Sequence, residues 1–344
     1  MTPDFEVFTE AGDLEDVPPP ALSTRLFGQE HHLQFMLDGH KSNRLHHGIL
    51  LRGERGVGKA TLGYHFANAV LGGSLSTPAP ASTAYRQIAQ NGHPSLLRIS
   101  RARTDSGAGF KTVISIADIR RINTFLSMSS GGGGHRMVII DAINDMQRPA
   151  ANALLKILEE PPQKTYFLLI AHGTQGVLPT IKSRTMEIRL SPLDNEALRQ
   201  ALEALSVSSS ADQIKSAVVA GGGSVRRALT LLNYGGADLG DGINRLLLSD
   251  PFDVKQAHMI ADVFAKKGND VQRGLIFDLL DEAIHRETML RVSAGRLEDA
   301  AQLSKLAAKL NEDRVTFISF NLDPRHEAIV FLQEVHAVFG KLAA

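Results

Sequence analysis

Cysteine and tryptophan are both absent from the 344 residues. Without cysteine there is no disulfide framework and no thiolate metal site. Neither sign of charge is in excess, since 37 Lys and Arg balance 37 Asp and Glu. Nothing in the net charge therefore argues for stand-alone binding to nucleic acid or to a membrane surface. A dense basic or aromatic stripe is missing as well. No apolar run approaches the ~20 residues of a membrane span. The acidic opening MTPDFEVFTEAGDLEDVPPP is neither a signal nor a transit peptide. These absences predict a cytoplasmic chain with two or three domains, each able to bury a core. Helix formers dominate the C-terminal half, so packing there is expected to be helix on helix.

What is present is organised around residues 137–190, MVIIDAINDMQRPAANALLKILEEPPQKTYFLLIAHGTQGVLPTIKSRTMEIRL. Residues 137–140 form a continuous apolar run closed by Asp141, the pattern of a strand buried on both faces. Pro149 suits the start of a helix, where its missing N–H costs nothing. Ala150, Ala153, Leu154, Ile157 and Leu158 then share one helical face, and Pro161 and Pro162 stop it. Residues 166–171 are a second buried strand and 185–190 a third, alternating one. Strand, helix and strand at this spacing predict a parallel α/β sheet. An acid at the carboxyl end of a buried strand sits where such sheets bind ligands.

Taken from the start, residues 1–20 predict an extended or disordered lead-in. A helix opens at Leu26-Phe27-Gly28-Gln29 and runs to Lys41, and 46–52 (HHGILLR) carries a first buried strand. Directly after it comes Gly53-Glu54-Arg55-Gly56-Val57-Gly58-Lys59-Ala60-Thr61, then a helix over 61–71. This is the strand, G-x-x-x-x-G-K, helix context of a phosphate-binding loop. Gly53, Gly56 and Gly58 let backbone N–H groups converge on a phosphate, the helix N-terminus adds positive potential, and Lys59 neutralises charge. A Gly-rich turn of no function is the ordinary alternative, and the flanking strand and helix argue against it.

The loop departs from the pattern where a metal would bind. The residue after the lysine is expected to be Ser or Thr, whose hydroxyl coordinates Mg²⁺; here it is Ala60. Thr61, the next candidate nucleotide contact, is about 100° further round the helix and is no substitute for that hydroxyl. Asp141 is placed to hold Mg²⁺ in such loops, and in many ATPases a Glu follows it to activate water. Ala142 stands there instead. The loop is expected to hold ATP or ADP weakly if at all, and to hold no catalytic metal.

Residues 72–92 read as a long surface connection, 95–99 as a short strand, 100–111 as a polar insertion, and 116–128 as a helix with Ile119, Ile122, Phe125 and Leu126 inward. Residues 131–134 read as a flexible glycine loop. The pairs His31-His32 and His46-His47 are expected to be solvated or structural, with adjacent side chains diverging and no metal cluster around them.

NALLKILEEPP (152–162), the FLLIA strand, LPTIKSR (178–184) and GGSVRRAL (222–229) together resemble the AAA+ clamp-loader subunits of bacterial DNA polymerase III. The degenerate nucleotide site is more similar to the delta-prime type than to the ATP-hydrolysing gamma/tau type. The resemblance implies an α/β plus all-α chain: a flexible segment 1–20, an AAA+ P-loop domain 21–192 with a parallel sheet, a helical lid 193–238 and a C-terminal helical collar 239–344. It implies partners too, namely the gamma/tau and delta subunits, and through the complex the sliding clamp and primer-template DNA, with no membrane. Family members commonly carry a four-cysteine zinc module; with no cysteine here, no zinc is expected. The polar residue that often senses the γ-phosphate is replaced by Ala171-His172.

Ser183-Arg184-Thr185 matches the family's Ser-Arg-Cys motif except at its last residue. In the family this arginine reaches the ATP of the neighbouring subunit, where a guanidinium supplied in trans stabilises phosphoryl charge. An ordinary surface arginine at a helix–strand junction is the alternative for Arg184. Arg226 matches the family's lid arginine, which would face the chain's own nucleotide; an ordinary arginine beside Arg227, with the nucleotide site empty, is the alternative. Lid helices are expected near 194–205, 211–220 and 224–232, and collar helices near 241–248, 253–266, 270–294, 297–321 and 326–342, with Pro324 at the last break. The sequence thus predicts a delta-prime-like subunit of the polymerase III holoenzyme without intrinsic ATPase. An autonomous AAA+ ATPase or motor acting on nucleic acid is the alternative, disfavoured by Ala60 and Ala142. An independent nucleic-acid-binding protein is disfavoured by the charge balance.

Overall fold

The computed structural model describes residues 13–14, 17–72, 78–104, 109–128, 134–173, 177–205, 209–266, 269–320 and 322–343. The chain divides into two compact units, Met1–Arg227 and Ala228–Ala344. In order, the first unit holds α1 (Glu30–Lys41), β1 (Gly48–Gly53), α2 (Lys59–Leu71), α3 (Thr83–Ala89), β2 (Leu96–Ile99), α4 (Ile116–Ser127), β3 (Arg136–Asp141), α5 (Arg148–Glu159), β4 (Thr165–His172), α6 (Pro179–Lys182), β5 (Met186–Arg189), α7 (Asn195–Ala204) and α8 (Ala211–Gly221). The boundary falls inside α9 (Val225–Asn233), and α10 (Gly236–Leu247), α11 (Val254–Ala265), α12 (Asp270–Ser293), α13 (Leu297–Phe320) and α14 (Pro324–Ala343) follow.

The five strands form one parallel sheet in the order β2-β3-β4-β1-β5. The α/β and all-α composition predicted from the sequence is therefore what is found. β1 lies between β4 and β5, with Gly48 opposite Phe167 and Ile49 opposite Met186. Its residues Ile49, Leu50 and Leu51 are fully buried, as are Met137, Val138 and Ile140 of β3 and Phe167, Leu168 and Leu169 of β4. Helices on the sheet complete the core: α5 contributes Ala150, Leu154, Ile157 and Leu158, and α4 contributes Ile119 and Ile122. α4 starts at a capping box between Ser115 and Asp118, which satisfies two backbone donors at once. Pro149 sits in the first turn of α5 as its chemistry requires.

In the second unit the core is aromatic at its centre. Phe264 of α11, Phe277 of α12, Phe317 of α13 and Phe331 of α14 are all buried, with ring centroids 5.2–6.4 Å apart. Ile243, Leu246, Leu303 and Val335 pack around them. Pro324 stands at the break between the last two helices, as predicted: α13 ends at Phe320 and Pro324 is the first residue of α14, where a missing N–H costs nothing.

Several expectations are corrected. The stretch 72–92 is no mere connection, because Ser82 caps α3 and Tyr85, Ile88 and Ala89 are buried; the Tyr85 hydroxyl donates to the Leu22 carbonyl at 2.6 Å. Within the predicted lead-in Leu14 is buried, while residues 1–12 and 15–16 lie outside the described residues. Residues 73–77 and 131–133, the latter most of the glycine loop, lie outside the described residues. The paired histidine rings do not diverge: His31 and His32 lie 3.8 Å apart, and His46 and His47 stack at 4.2 Å. His47 Nε2 lies 3.0 Å from the Leu158 carbonyl.

Candidate nucleotide site

β1 delivers the chain to Gly53, and residues 53–58 turn it into the first turn of α2. Two glycines make the turn possible. Gly58, the N-cap of α2, has φ +94°, and Gly56 has φ +87°, a region where an L side chain is strained. A Cβ on Gly56 would lie 2.2 Å from Ser224 Oγ and 2.6 Å from the Arg226 Cβ. The loop and the start of α9 are thus in direct contact. The Ser224 hydroxyl donates to the Arg55 carbonyl at 2.8 Å, and the Val225 N–H to the Gly56 carbonyl at 3.0 Å. From the other side the buried Gln29 donates to the Val57 and Ser191 carbonyls at 3.2 and 2.9 Å.

Lys59 is 3% exposed. Its Nζ donates to the Gly53 carbonyl at 2.8 Å and to the Glu54 carbonyl. Burial lowers its pKa to about 8, against which the Asp141 and Glu54 carboxylates pull upward. Asp141 ends β3, and His172 ends β4 beside it, with Nε2 3.7 Å from Asp141 Oδ1. The amide of Asn144 braces that end: its Oδ1 accepts from His172 N–H at 2.8 Å and its Nδ2 donates to the His172 carbonyl at 3.1 Å. Burial, then the charges of Lys59, Arg55, Arg226 and Arg101, lower the His172 pKa to about 3. At neutral pH the imidazole is uncharged, so its approach to Asp141 is a polar contact and not an ion pair.

Gly53, Gly56, Gly58, Lys59, Asp141 and Arg226 are therefore gathered at the carboxyl end of the sheet, where open α/β sheets take ligands. Thr61 is part-buried in the first turn of α2. The loop fits a phosphate, because its glycine geometry, its lysine and a helix N-terminus converge. It does not fit Mg²⁺. Ala60 offers no oxygen, Asp141 faces His172, and the next acid, Asp145, is paired with Arg101 at 3.2 Å. Among the described residues no group of three or more His, Cys, Asp or Glu could hold a metal ion.

Arg184 is elsewhere. It follows α6 and precedes β5, at the amino end of the strands, where its carbonyl lies 3.1 Å from a Cβ built on Gly48. Gly48 and Gly53 bound β1, so about 17 Å of strand separates Arg184 from the chain's own phosphate loop at roughly 3.3 Å per residue. The guanidinium pairs with Glu159 at 2.6 Å and donates to the Thr180 carbonyl at 3.0 Å.

Reasoning from sequence did not single out Gln29, Ser224, Arg55 or Arg101. Ser224 and Arg55 sit inside stretches already marked as motifs. Arg101 begins a polar insertion and carries no periodic or spacing signal.

Residues 28–194 match the family profile described as DNA polymerase III, delta subunit. The chain is 28% identical over 306 residues to the DNA polymerase III subunit tau of Escherichia coli, covering 86% of this chain and 46% of that protein. It is 29% identical over 242 residues to the DNA polymerase III subunit delta' of Pseudomonas aeruginosa, covering 67% of this chain and 68% of that one. The chain spans less than half the length of the first curated relatives it matches. A solved gamma-subunit-related protein of DNA polymerase III from Thermotoga maritima is similar with a TM-score of 0.42 and 18% identity, over 91% of this chain and 99% of that one. No described helix is long and apolar enough to cross a membrane. Segment 28–194 thus matches a DNA polymerase III subunit family, and the relatives to which most of the chain is similar are DNA polymerase III subunits.

Proposed function

We propose that this chain is a delta-prime-like subunit of the DNA polymerase III clamp loader, an AAA+ module that does not hydrolyse ATP itself and supplies Arg184 to the nucleotide site of a neighbouring subunit. The observation that carries this reading is the separation within one sheet. The phosphate loop, lacking its metal-binding hydroxyl and its water-activating Glu, occupies one end of β1, and Arg184 occupies the other. An arginine held there has no part in the chain's own site and suits a site completed in trans. Its partners in this reading are the gamma/tau and delta subunits, with sliding clamp and primed DNA met through the complex. Residues 193–238 serve as the lid and 239–344 as the oligomerising collar.

The test is a loader reconstituted with wild-type or Arg184→Ala subunit and assayed for DNA- and clamp-stimulated ATP turnover and for clamp loading. Folding and assembly should be unchanged, since the Glu159 pair is partly exposed at both ends and worth at most about 1 kcal/mol. The one affected site should lose about 10³–10⁵ in rate. Total turnover then falls in part, clamp loading falls further, and Arg184→Lys does not rescue either, because an ammonium cannot make a planar two-pronged contact. Unchanged turnover and loading would reduce Arg184 to a surface residue.

A further inference from the structure

We propose that the phosphate loop of this chain binds a polyphosphate chain that carries no metal ion, its charge met by a cluster of four cationic side chains. The cluster draws on four separate segments. Lys59 opens α2, Arg55 lies in the loop, Arg226 lies in the first turn of α9, and Arg101 follows β2. All four act electrostatically on one point, His172 at the end of β4. Among the described residues, three nearby carboxylates each have a cation acting on or paired with them: Glu54 and Asp141 act on Lys59, and Asp145 pairs with Arg101.

A phosphate loop that uses Mg²⁺ needs oxygen ligands and room for a second positive charge. Here the oxygen of the residue after Lys59 is missing, and Asp141, the one acid at the strand end, faces an imidazole. Four cations against three carboxylates leave a net positive site, which disfavours a divalent ion and favours phosphate oxygens. Guanidinium groups also bridge phosphate oxygens in two-pronged fashion, which a protein-bound metal would otherwise do.

The scaffold for an anion is present without oxygen ligands for a metal. Gly56 and Gly58 keep the left-handed turns, and Gln29, Ser224 and Val225 hold the loop backbone from both sides. Both a nucleotide and an inorganic polyphosphate carry the chemistry the cluster reads. This inference is independent of Arg184 acting in trans, because Arg184 lies at the other end of β1 and its substitution leaves this site untouched.

The experiment is calorimetric titration of the full chain with ATP and with tripolyphosphate, each in EDTA and each with excess Mg²⁺. Metal-free ATP should bind at least as tightly as Mg²⁺–ATP, and tripolyphosphate in EDTA should displace it. Arg101→Gln, at a part-exposed position whose loss should leave the melting temperature within a few degrees, should weaken metal-free ATP about tenfold. Lys59→Ala should weaken it further. The proposal is overturned if Mg²⁺ tightens ATP about tenfold or more, if metal-free ATP does not bind at millimolar concentration, or if tripolyphosphate fails to compete. Unchanged affinity in a folded Arg101→Gln protein overturns the assignment of the cluster.

Discussion

Gly56→Ala puts one methyl group at the point where the phosphate loop meets the start of α9. The built Cβ lies 2.2 Å from Ser224 Oγ, 2.6 Å from the Arg226 Cβ and 2.9 Å from the Arg226 backbone nitrogen, so backbone and not only a side-chain tip must move. At φ +87° an L residue adds about 1–2 kcal/mol of left-handed strain. Moving 224–226 away breaks the Val225–Gly56 and Ser224–Arg55 hydrogen bonds, each worth about 1 kcal/mol. The sum is a loss of about 3–4 kcal/mol, which in a unit of this size lowers the melting temperature by roughly 10 °C. Hydrogen exchange should show the Val225 amide losing protection before the strands do. Gly274→Ala in α12, where the added methyl meets nothing within 4 Å, is the control and should gain about 0.4–1 kcal/mol. A Gly56→Ala protein that melts within about 2 °C of wild type, with Val225 still protected, refutes the reasoning.

Three further outcomes are expected. Burial pushes His32, His40, His47, His65, His93, His135 and His172 all below the ordinary histidine pKa. The unfolded chain then binds more protons below pH 6.5, so stability is complete above that pH and falls as pH drops; His172 alone accounts for about 1.4 kcal/mol at pH 5.5. Equal denaturant midpoints at pH 7.5 and 5.5 would contradict this. Restoring the missing base by Ala142→Glu should fail, because Ala142 is 3% exposed and a buried unpaired carboxylate costs about 3–5 kcal/mol; a stable Ala60→Thr, Ala142→Glu protein with clear ATP turnover would show otherwise. Phe264→Ala, at the centre of four packed rings, should cost about 3–5 kcal/mol by thermal unfolding, and a loss under about 1 kcal/mol would mean that the rings are not the core of that unit.

The strands of the sheet were legible because a parallel sheet covered on both faces demands unbroken apolar runs, and ILL, MVII and FLLIA are such runs. The phosphate loop was legible because its glycines occupy left-handed backbone that few other residues tolerate. α3 escaped because seven residues give too few turns for a 3.6-residue period to emerge, and its flanks are rich in Pro, Ser and Gly. β5 shows only Ile188 buried among its four residues, so its alternation is real but thin. In the site, what a motif fixes locally was readable: Lys59, Asp141 and Arg226 come together as their patterns imply. Arg101 and Gln29 arrive through tertiary packing from segments without a pattern, and no local rule announces them. In the lead-in, composition gives no sign that Leu14 is buried, because acidic and proline-rich surroundings predict solvation while a single apolar side chain can still pack.

The place of β1 between β4 and β5 has a consequence for how the chain must be made. Its partners lie far downstream: β4 starts at Thr165, 112 residues after Gly53 (165 minus 53). At about 5–20 residues per second on a ribosome, β1 waits roughly 6–22 s before a neighbouring strand exists. Until then the apolar segment ILL and the loop behind it have no sheet to join. Loops of that length close late and slowly, so the phosphate-binding turn is among the last parts of the sheet to settle although it is among the first to be synthesised. The nascent chain therefore passes through an interval with an exposed, unpaired strand, and a slow-translating stretch before codon 165 would lengthen its exposure to aggregation or to a holding chaperone.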